Sequence, residues 1–334
     1  MATSTADLVL EGGGVKGIAL VGAISVLEER GYTFNRVAGT SAGAIVGALV
    51  AARCSAAELR DIMRSVDYVK FRDKNFADHF GVFGRALSVL MENGIYKGDY
   101  LVKWLADHLA GKNVERFEHL KLIDPDSTLP VDQQYGLVVM ASDISNGELR
   151  RLPWDYDCYG IDSDEVDVAS AVRASMSIPF FYQPVNVKNR AGEECWLVDG
   201  GMLSNFPVAI FDRTDGRAPR WPTFGIKLSA APDAALHIAH DVHDPLSMTE
   251  AMVATMTGFY DRMHIADPSV QARTIFVDTM KVRATDFDID AATQQQLYDN
   301  GRRAATSFLD GGDGRPGWDW TRYLETYAVT SSIL

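Results

Sequence analysis

The sequence predicts an α/β protein. Short apolar runs typical of buried strands alternate along the 334 residues with longer stretches of helical periodicity. Two glycine-rich turns each connect one of the first strands to a helix. No linker, internal repeat or low-complexity tract divides the chain. We therefore expect one layered α/β domain over residues 1–334.

The first glycine turn follows the predicted strand Leu8–Leu10. Residues 11–17 read Glu-Gly-Gly-Gly-Val-Lys-Gly and lead into a helix. Backbone N–H groups at a helix N-terminus point outward and carry the positive end of the helix dipole, so they bind negative charge. Because three of the residues are glycines, a substrate oxygen can approach the main chain closely. The turn therefore predicts an anion-binding loop.

The second glycine turn holds a serine between a short strand and a helix. Residues 39–43 read Gly-Thr-Ser-Ala-Gly, which matches the G-x-S-x-G pattern of a serine nucleophile on a sharp turn. Gly39 and Gly43 flank the serine because such a turn leaves no room for β-carbons. Ser41 is therefore a candidate nucleophile, and the anion-binding loop beside it is what acyl transfer needs to stabilise an oxyanion.

The first turn also has an alternative interpretation. Gly12, Gly14 and Gly17 fit G-x-G-x-x-G, the dinucleotide-binding pattern. That pattern expects an acid at the end of the second strand to hold the ribose, and here segment 34–38 runs into Gly39 without one. A nucleotide-binding oxidoreductase is therefore the secondary hypothesis.

A third signal is an acid at the end of the predicted strand Cys195–Val198. Asp199 is followed by Gly200 and Gly201, and sites in α/β proteins gather at the carboxyl ends of strands. A serine nucleophile needs a base, usually histidine, but none of the seven histidines lies in a recognisable triad motif. Asp199 is therefore the better candidate for the base.

Composition narrows the classes of partner. The net charge of −13 disfavours nucleic acid and gives no general attraction to anionic lipid headgroups. A transient contact with a membrane surface would therefore have to be apolar, local or helped by a partner. The three cysteines have no disulfide or metal spacing, and His237, His240 and His243 lack a Cys or Glu partner, so we expect no metal.

Neither a secretory signal nor a spanning helix is predicted. Residues 1–7 lack the basic and apolar regions of a signal peptide, and the longest uncharged run, Val37–Ala52, is too short to cross a bilayer. We therefore expect a cytoplasmic protein, with peripheral membrane contact as the alternative.

The remaining elements follow from caps, periodicity and turns. Ser55 and Glu58 form a capping box at the start of a helix that ends near Ser65, and Asp99 is predicted to cap the next helix. The glycine-rich stretch 310–317 is expected to be loose. Further helices are predicted at Ile18–Arg30, Ala42–Arg53, Tyr100–Ala110, Val166–Ser177, Ser247–His264 and Ala291–Leu309, and further strands at Tyr135–Ala141, Glu148–Leu152, Phe224–Leu228 and Thr274–Val277.

Residues 66–94 are rich in aromatic side chains and carry three glycines. Such a stretch either packs over the core or forms a mobile cover over an apolar pocket, since a large open apolar groove is unfavourable in water. We therefore mark 66–94 as a candidate lid.

Three of these motifs, residues 12–17, 39–43 and 199–201 in this order, resemble the patatin-like phospholipase family. Weaker matches follow at Ile95–Gly98, Ala141–Asp143 and Ala174–Phe180. The resemblance covers about residues 8–230. It implies a three-layer α/β/α domain with a central, mostly parallel sheet, which residues 231–334 would complete.

The resemblance also implies an activity and a site. A member of the family is expected to be a lipid acyl hydrolase (phospholipase A, lysophospholipase or esterase) that acts through an acyl-enzyme on phospholipids or other fatty-acyl esters without a cofactor. Its catalytic pair carries over as Ser41 and Asp199. Its oxyanion hole carries over as Gly12, Gly13 and Gly14, and its supporting motif positions as Lys16, Gly17, Gly39, Gly43, Gly200 and Gly201.

Two points stay open at the level of the sequence. Lys16 is expected to be an exposed lysine, with steadying of the loop or attraction of a phosphate as alternatives. A catalytically silent lipid-binding module with the same fold is the third functional hypothesis. No oligomeric state is predicted.

Overall fold

The computed structural model describes residues 4–66, 94–229, 251, 255, 265, 267–284, 286–312 and 315–331. Its strands are β1 (Ser4–Leu10), β2 (Tyr32–Thr40), β3 (Gly94–Tyr96), β4 (Leu137–Asp143), β5 (Glu148–Leu152), β6 (Phe180–Tyr182), β7 (Val185–Lys188), β8 (Glu194–Asp199), β9 (Thr223–Lys227), β10 (Thr274–Phe276), β11 (Gly311–Gly312) and β12 (Arg315–Pro316). Its α-helices are α1 (Gly17–Glu29), α2 (Ala42–Ala51), α3 (Ala56–Ser65), α4 (Asp99–Ala110), α5 (Val168–Ser175), α6 (Pro268–Gln271), α7 (Ala291–Asp310) and α8 (Trp320–Ser331).

Within the described ranges, one sheet of eight strands organises the molecule. Its order is β10-β9-β1-β2-β4-β8-β7, and β5 pairs with β4. The strands from β10 to β4 are all parallel, whereas β5, β7 and β8 pair antiparallel with their neighbours. The predicted α/β class and the mostly parallel central sheet are therefore confirmed.

The ends of β2 and β8 meet on one edge of β4. Thr40 at the end of β2 lies opposite Met140 of β4, and the next residue, Ala141, lies opposite Asp199 at the end of β8. The other edge of this part of β4 is taken by β5, so β2 and β8 must share an edge. Because β2 runs parallel to β4 and β8 antiparallel, their carboxyl ends face each other.

Close helix packing fixes the first turns of the fold. Helix α2 is buried from Ala42 to Val50, as its small apolar residues predicted, and it begins directly after Ser41. Helix α1 packs closely on α7, since a side chain at Gly22 would overlap the carbonyl of Tyr298. Each fully buried Ile, Leu or Val in these helices stabilises the fold by about 1.5–3 kcal/mol.

Several predicted details are confirmed and others are wrong. The capping box of Ser55 and Glu58 is present. Asp99 is not the N-cap of its helix: the cap is Gly98, with φ 78°, and Asp99 is the first helical residue, where its charge favours the helix dipole. The stretch 310–317 is not simply loose, because β11 pairs with β12 there. Helix α8 was not predicted.

Two predicted elements lie largely outside the described residues. The structure describes only the two ends of the candidate lid 66–94 and only residues 251 and 255 of the predicted helix 247–264, both helical.

All three cysteines are free. Among the helices that the structure describes, none has the length and apolar character needed to cross a membrane.

Candidate active site

Ser41 lies on a strained turn between β2 and α2. Its φ is 53° and its ψ is −123°, a backbone conformation that non-glycine residues seldom adopt. A β-carbon at Gly39 would overlap the carbonyl of Gly43, and one at Gly43 would overlap the carbonyl of Leu10. Strain of this kind persists where the surrounding structure enforces it, and it is common at reactive side chains.

The carboxylate of Asp199 lies at the hydroxyl of Ser41. Burial raises the pKa of Asp199 from 3.8 to about 6, although hydrogen bonds from the Ser41 hydroxyl and the Gly201 amide act in the opposite direction. The Gly201 amide donates to the Asp199 carboxylate at 2.8 Å. A carboxylate with a raised pKa holds a proton more strongly than one in water, so it is a better base.

A short segment at the end of α5, residues 175–177, holds both Ser41 and Asp199. The Ser41 amide donates to the Oγ of Ser175 at 2.9 Å, and the Asp199 amide donates to the carbonyl of Ser177 at 2.9 Å. Between them, the Sδ of Met176 lies 3.5 Å from the Ser41 Oγ. Ser175 and Ser177 are fully buried. The segment therefore fixes the main chain on both sides of the serine–carboxylate contact.

The glycine loop passes beside Ser41. A β-carbon at Gly12 would lie 3.0 Å from the Cβ of Ser41. The Gly12 amide is taken, since it donates to the carbonyl of Asn205 at 3.4 Å, and the Asn205 side chain donates back to the Gly12 carbonyl at 3.1 Å. The amides of Gly13 and Gly14 have no acceptor among the described residues. These two donors are therefore available to an oxygen beside Ser41.

Gly14 and the residue after it are held by a distant segment. Gly14 has φ 55°, and a β-carbon there would overlap the carbonyl of Ala284. The same carbonyl accepts a hydrogen bond of 3.1 Å from the Val15 amide. The loop conformation therefore depends on a residue far along the chain from the glycine motif.

A buried charged cluster lies behind the loop. The carboxylate of Glu11 pairs with the ammonium of Lys227 and accepts from the amide of Leu228. Lys16, expected to be exposed, is half-buried. Burial lowers the pKa of Lys16, an effect that Glu11 opposes and Lys227 reinforces. Breaking a buried pair leaves an uncompensated charge, so this cluster ties the start of the loop to the end of β9.

A small apolar cavity of about 20 Å³ lies beside these residues. Two of its lining residues are next to Ser41: Ala42 follows it in the sequence, and Met176 contacts its hydroxyl. The cavity is lined by Gly14, Val15, Ala42, Ile45, Met63, Val66, Trp104, Met176, Ile178, Tyr182 and Phe287. Its volume is enough for about one water molecule.

The structure brings the three predicted motifs together. Gly17 begins α1 with its Cα facing Ala42, and Gly200 and Gly201 form the turn after Asp199. Of the histidines, the structure describes His108 and His119, and neither hydrogen-bonds Ser41 or Asp199. His237, His240 and His243 lie outside the described residues. Among those described, no group of three His, Cys, Asp or Glu could hold a metal.

Sequence reasoning missed the residues that hold the site in place. Asn205 and Ala284 belong to no recognised pattern. Ala284 acts through its backbone carbonyl, and Asn205 acts through both its backbone carbonyl and its side-chain amide. Ser175 and Met176 lie in the weakly matching segment Ala174–Phe180, which marked the region without giving these residues a role.

Two curated proteins are similar to this chain. A protein of Bacillus subtilis, "Uncharacterized protein YqhO", is 37% identical over 91% of this chain and 97% of its own length. "Lysophospholipase nte1" of Emericella nidulans is 42% identical over 60% of this chain, which corresponds to only 11% of that protein.

A solved structure and a family model extend the comparison. VipD from Legionella pneumophila has a TM-score of 0.52 at 19% identity, over 92% of this chain and 67% of that one, which is a likeness of fold alone. The model of the family described as "Patatin-like phospholipase" matches residues 8–212, which include all three motifs. The chain therefore belongs to the patatin-like phospholipase family.

Proposed function

We propose that this protein is a lipid acyl hydrolase that cleaves carboxylic esters of fatty acids through an acyl-enzyme on Ser41. The observation that carries the proposal is the contact of the strained Ser41 with the buried carboxylate of Asp199, next to the amides of Gly13 and Gly14, which have no acceptor among the described residues. Family membership and the lysophospholipase name of one relative support a lipid ester as the substrate.

In the first step, the Ser41 Oγ attacks the carbonyl carbon of the ester while its proton passes to the Asp199 carboxylate. The negative charge that develops on the carbonyl oxygen is stabilised by the amides of Gly13 and Gly14. When the tetrahedral intermediate collapses, the bond to the alcohol breaks and Asp199 returns the proton to the leaving oxygen. The acyl group stays on Ser41.

In the second step, water attacks the acyl-enzyme and Asp199 accepts its proton. The same two amides stabilise the second oxyanion. When this intermediate collapses, the bond to the Ser41 oxygen breaks, Asp199 returns the proton to that oxygen, and the fatty acid is released. The nucleophile, the base and the oxyanion donors all come from the protein chain. The apolar side chains that line the small cavity beside Ser41 favour the transfer of an acyl chain from water to this part of the protein.

The nucleotide-binding alternative finds less support. A pyrophosphate bound at a glycine loop needs the backbone amides at the start of the following helix. Here the Val15 amide already donates to the carbonyl of Ala284, and that carbonyl closes over Gly14.

We also propose that residues 1–334 act as one catalytic domain, since β10 extends the sheet and α7 packs on α1.

A fluorophosphonate probe tests the proposal directly, because it phosphonylates only an activated serine. We expect the purified protein to be labelled at Ser41, as identified by mass spectrometry of the peptides. Ser170→Ala changes an exposed serine on α5 and should leave the labelling intact. Absence of labelling in folded protein would favour a catalytically silent lipid-binding module instead.

The pKa of Asp199 predicts the pH dependence of the reaction. The base must be ionised, so kcat/KM on a soluble ester should increase about tenfold per pH unit below pH 6 and level off above it. An unperturbed carboxyl would place this limb near pH 4. Stopped assays between pH 4 and 8, with circular dichroism to confirm folding at each pH, distinguish the two. A limb near pH 4 would contradict a buried carboxylate as the base.

A further inference from the structure

The side chain of Asn205 lies between the glycine loop and the turn after Asp199. Its Nδ2 donates to the carbonyl of Gly12 at 3.1 Å, and its backbone carbonyl accepts from the Gly12 amide at 3.4 Å. A β-carbon at Gly12 would come within 2.3 Å of the Asn205 Oδ1, and one at Gly201 would come within 3.0 Å of it. Both glycines therefore leave room for this one side chain.

The backbone before Asn205 is bonded to the turns on either side of it. The carbonyl of Ser204 accepts from the Thr40 hydroxyl at 3.3 Å, and the amide of Ser204 donates to the carbonyl of Gly200 at 2.9 Å. Both Ser204 and Thr40 are buried. Residues 204 and 205 therefore join the turn of the nucleophile, the turn of the carboxylate and the glycine loop.

The bond to the Gly12 carbonyl also determines the direction of the Gly13 amide. These two groups belong to one planar, trans peptide unit, so the N–H points away from the side to which the C=O points. Glycines lie on both sides of this unit, and because glycine has wide conformational freedom, the local chain does little to fix it. The bond from the Asn205 side chain therefore holds this N–H in one direction.

We propose that Asn205 is a positioning residue that orients the Gly13 N–H toward the oxyanion formed beside Ser41. The proposal rests on the proposed function, in which this amide stabilises the negative charge on the ester carbonyl oxygen. Asn205 acts through the peptide unit between Gly12 and Gly13 and does not touch the reacting atoms. Its contribution therefore arises when the oxyanion forms and not when the neutral ester binds.

Asn205→Ala removes the side-chain donor and keeps the backbone carbonyl that accepts from Gly12. We expect kcat for a short-chain p-nitrophenyl ester to fall on the order of 10²-fold with KM changed less than about twofold, since a misdirected donor weakens binding of the transition state alone. Asn186→Ala, an exposed change on β7, is the matched control and should keep the wild-type kcat and KM.

A trifluoromethyl ketone measures the oxyanion interaction without turnover. The Ser41 Oγ bonds to the ketone carbon, its proton passes to Asp199, and the ketone oxygen becomes the oxyanion. We expect Asn205→Ala to weaken the affinity for this inhibitor by about the same factor as kcat. A residue that only supported the fold would instead lower the Tm or the active fraction and leave the affinity of the folded enzyme unchanged.

The pH profile separates this role from an effect on the base. Asn205 lies close to Gly201, whose amide donates to the Asp199 carboxylate. If Asn205 acts on the oxyanion, the acid limb of kcat/KM in Asn205→Ala should stay at the pH at which the wild type has it. A displaced limb with wild-type affinity for the trifluoromethyl ketone would overturn the proposal, because Asn205 would then act on the base.

The outcomes also separate this proposal from the proposed function. Wild-type kcat and inhibitor affinity in folded Asn205→Ala, with turnover that still requires Ser41, would overturn the role of Asn205 alone. Turnover by Ser41→Ala would overturn the proposed function instead. If Asn205→Ala does not fold, Asn205→Asp takes its place: the carboxylate keeps the shape of the side chain but has no hydrogen to donate, so a wild-type kcat there is equally decisive.

Discussion

Replacement of Ser41 by alanine is expected to lower kcat for a short-chain p-nitrophenyl ester by a factor on the order of 10⁴ or more. The Ser41 Oγ is the only hydroxyl described at the Asp199 carboxylate, so no neighbouring group is placed to attack in its stead. The fold should survive, because alanine removes one oxygen and leaves the Ser41 amide bonded to Ser175. Steady-state kinetics and a thermal melt measure the two effects separately.

Ser170→Ala serves as the control for the serine-to-alanine change itself. Ser170 lies exposed on α5, the helix that ends at Ser175, and it should keep the wild-type rate. Hydrolysis at the wild-type rate by folded Ser41→Ala would refute the proposed acyl-enzyme, because the reaction would then need a different nucleophile.

Asp199→Asn is expected to lower kcat by about 10⁴, since an amide cannot accept the proton of the attacking hydroxyl. Asp107→Asn, an exposed change on α4, should leave the rate unchanged. A normal rate in folded Asp199→Asn would exclude this carboxylate as the base and direct attention back to a histidine.

The same variant has an expected effect on stability that separates inactivity from unfolding. The folded-state pKa of Asp199 lies near 6, above its unfolded value of 3.8, so ionisation of this group destabilises the native state. That cost is absent below pH 3.8, grows as the pH rises to 6, and amounts to about 3 kcal/mol above it. Asp199→Asn removes the cost, so its Tm at pH 7.5 should equal or exceed that of the wild type. A marked decrease would mean that the carboxylate mainly holds the structure together.

The glycine turns could be predicted from the sequence because part of their steric requirement comes from residues in the same turn. At Gly39 a β-carbon would collide with the carbonyl of Gly43 in the same turn, so this requirement depends on residues close in sequence. At Gly43 the collision is with the carbonyl of Leu10, a residue distant in sequence. The capping box of Ser55 and Glu58 is local, and it too was predicted correctly. Local rules failed at Asp99, where a left-handed glycine one residue earlier supplies the cap.

The burial of charged groups could not be predicted in the same way. Lys16 was expected to be exposed because a lysine in a polar turn usually is. In the folded chain it lies half-buried beside the ion pair of Glu11 and Lys227. Lys227 is far from the loop in sequence, so the residues around Lys16 give no indication that a second buried lysine lies close to it.

The order of residues along the chain was enough to identify the α/β class, the three motifs and the candidate pair Ser41 and Asp199, because turn geometry depends on neighbours in sequence. How Ser41 meets Asp199 depends on long-range pairing: antiparallel β8 meets parallel β2 end to end along one edge of β4. Contacts of Asn205, Ser175 and the C-terminal Ala284 with the site arise in the same way, from segments that pack together only when the sheet has formed. The backbone contact of Ala284 leaves no pattern in the sequence, since almost any residue carries the same carbonyl. Asn205 and Ser175 contact the site through their side chains, but from positions far along the chain from the loops they hold.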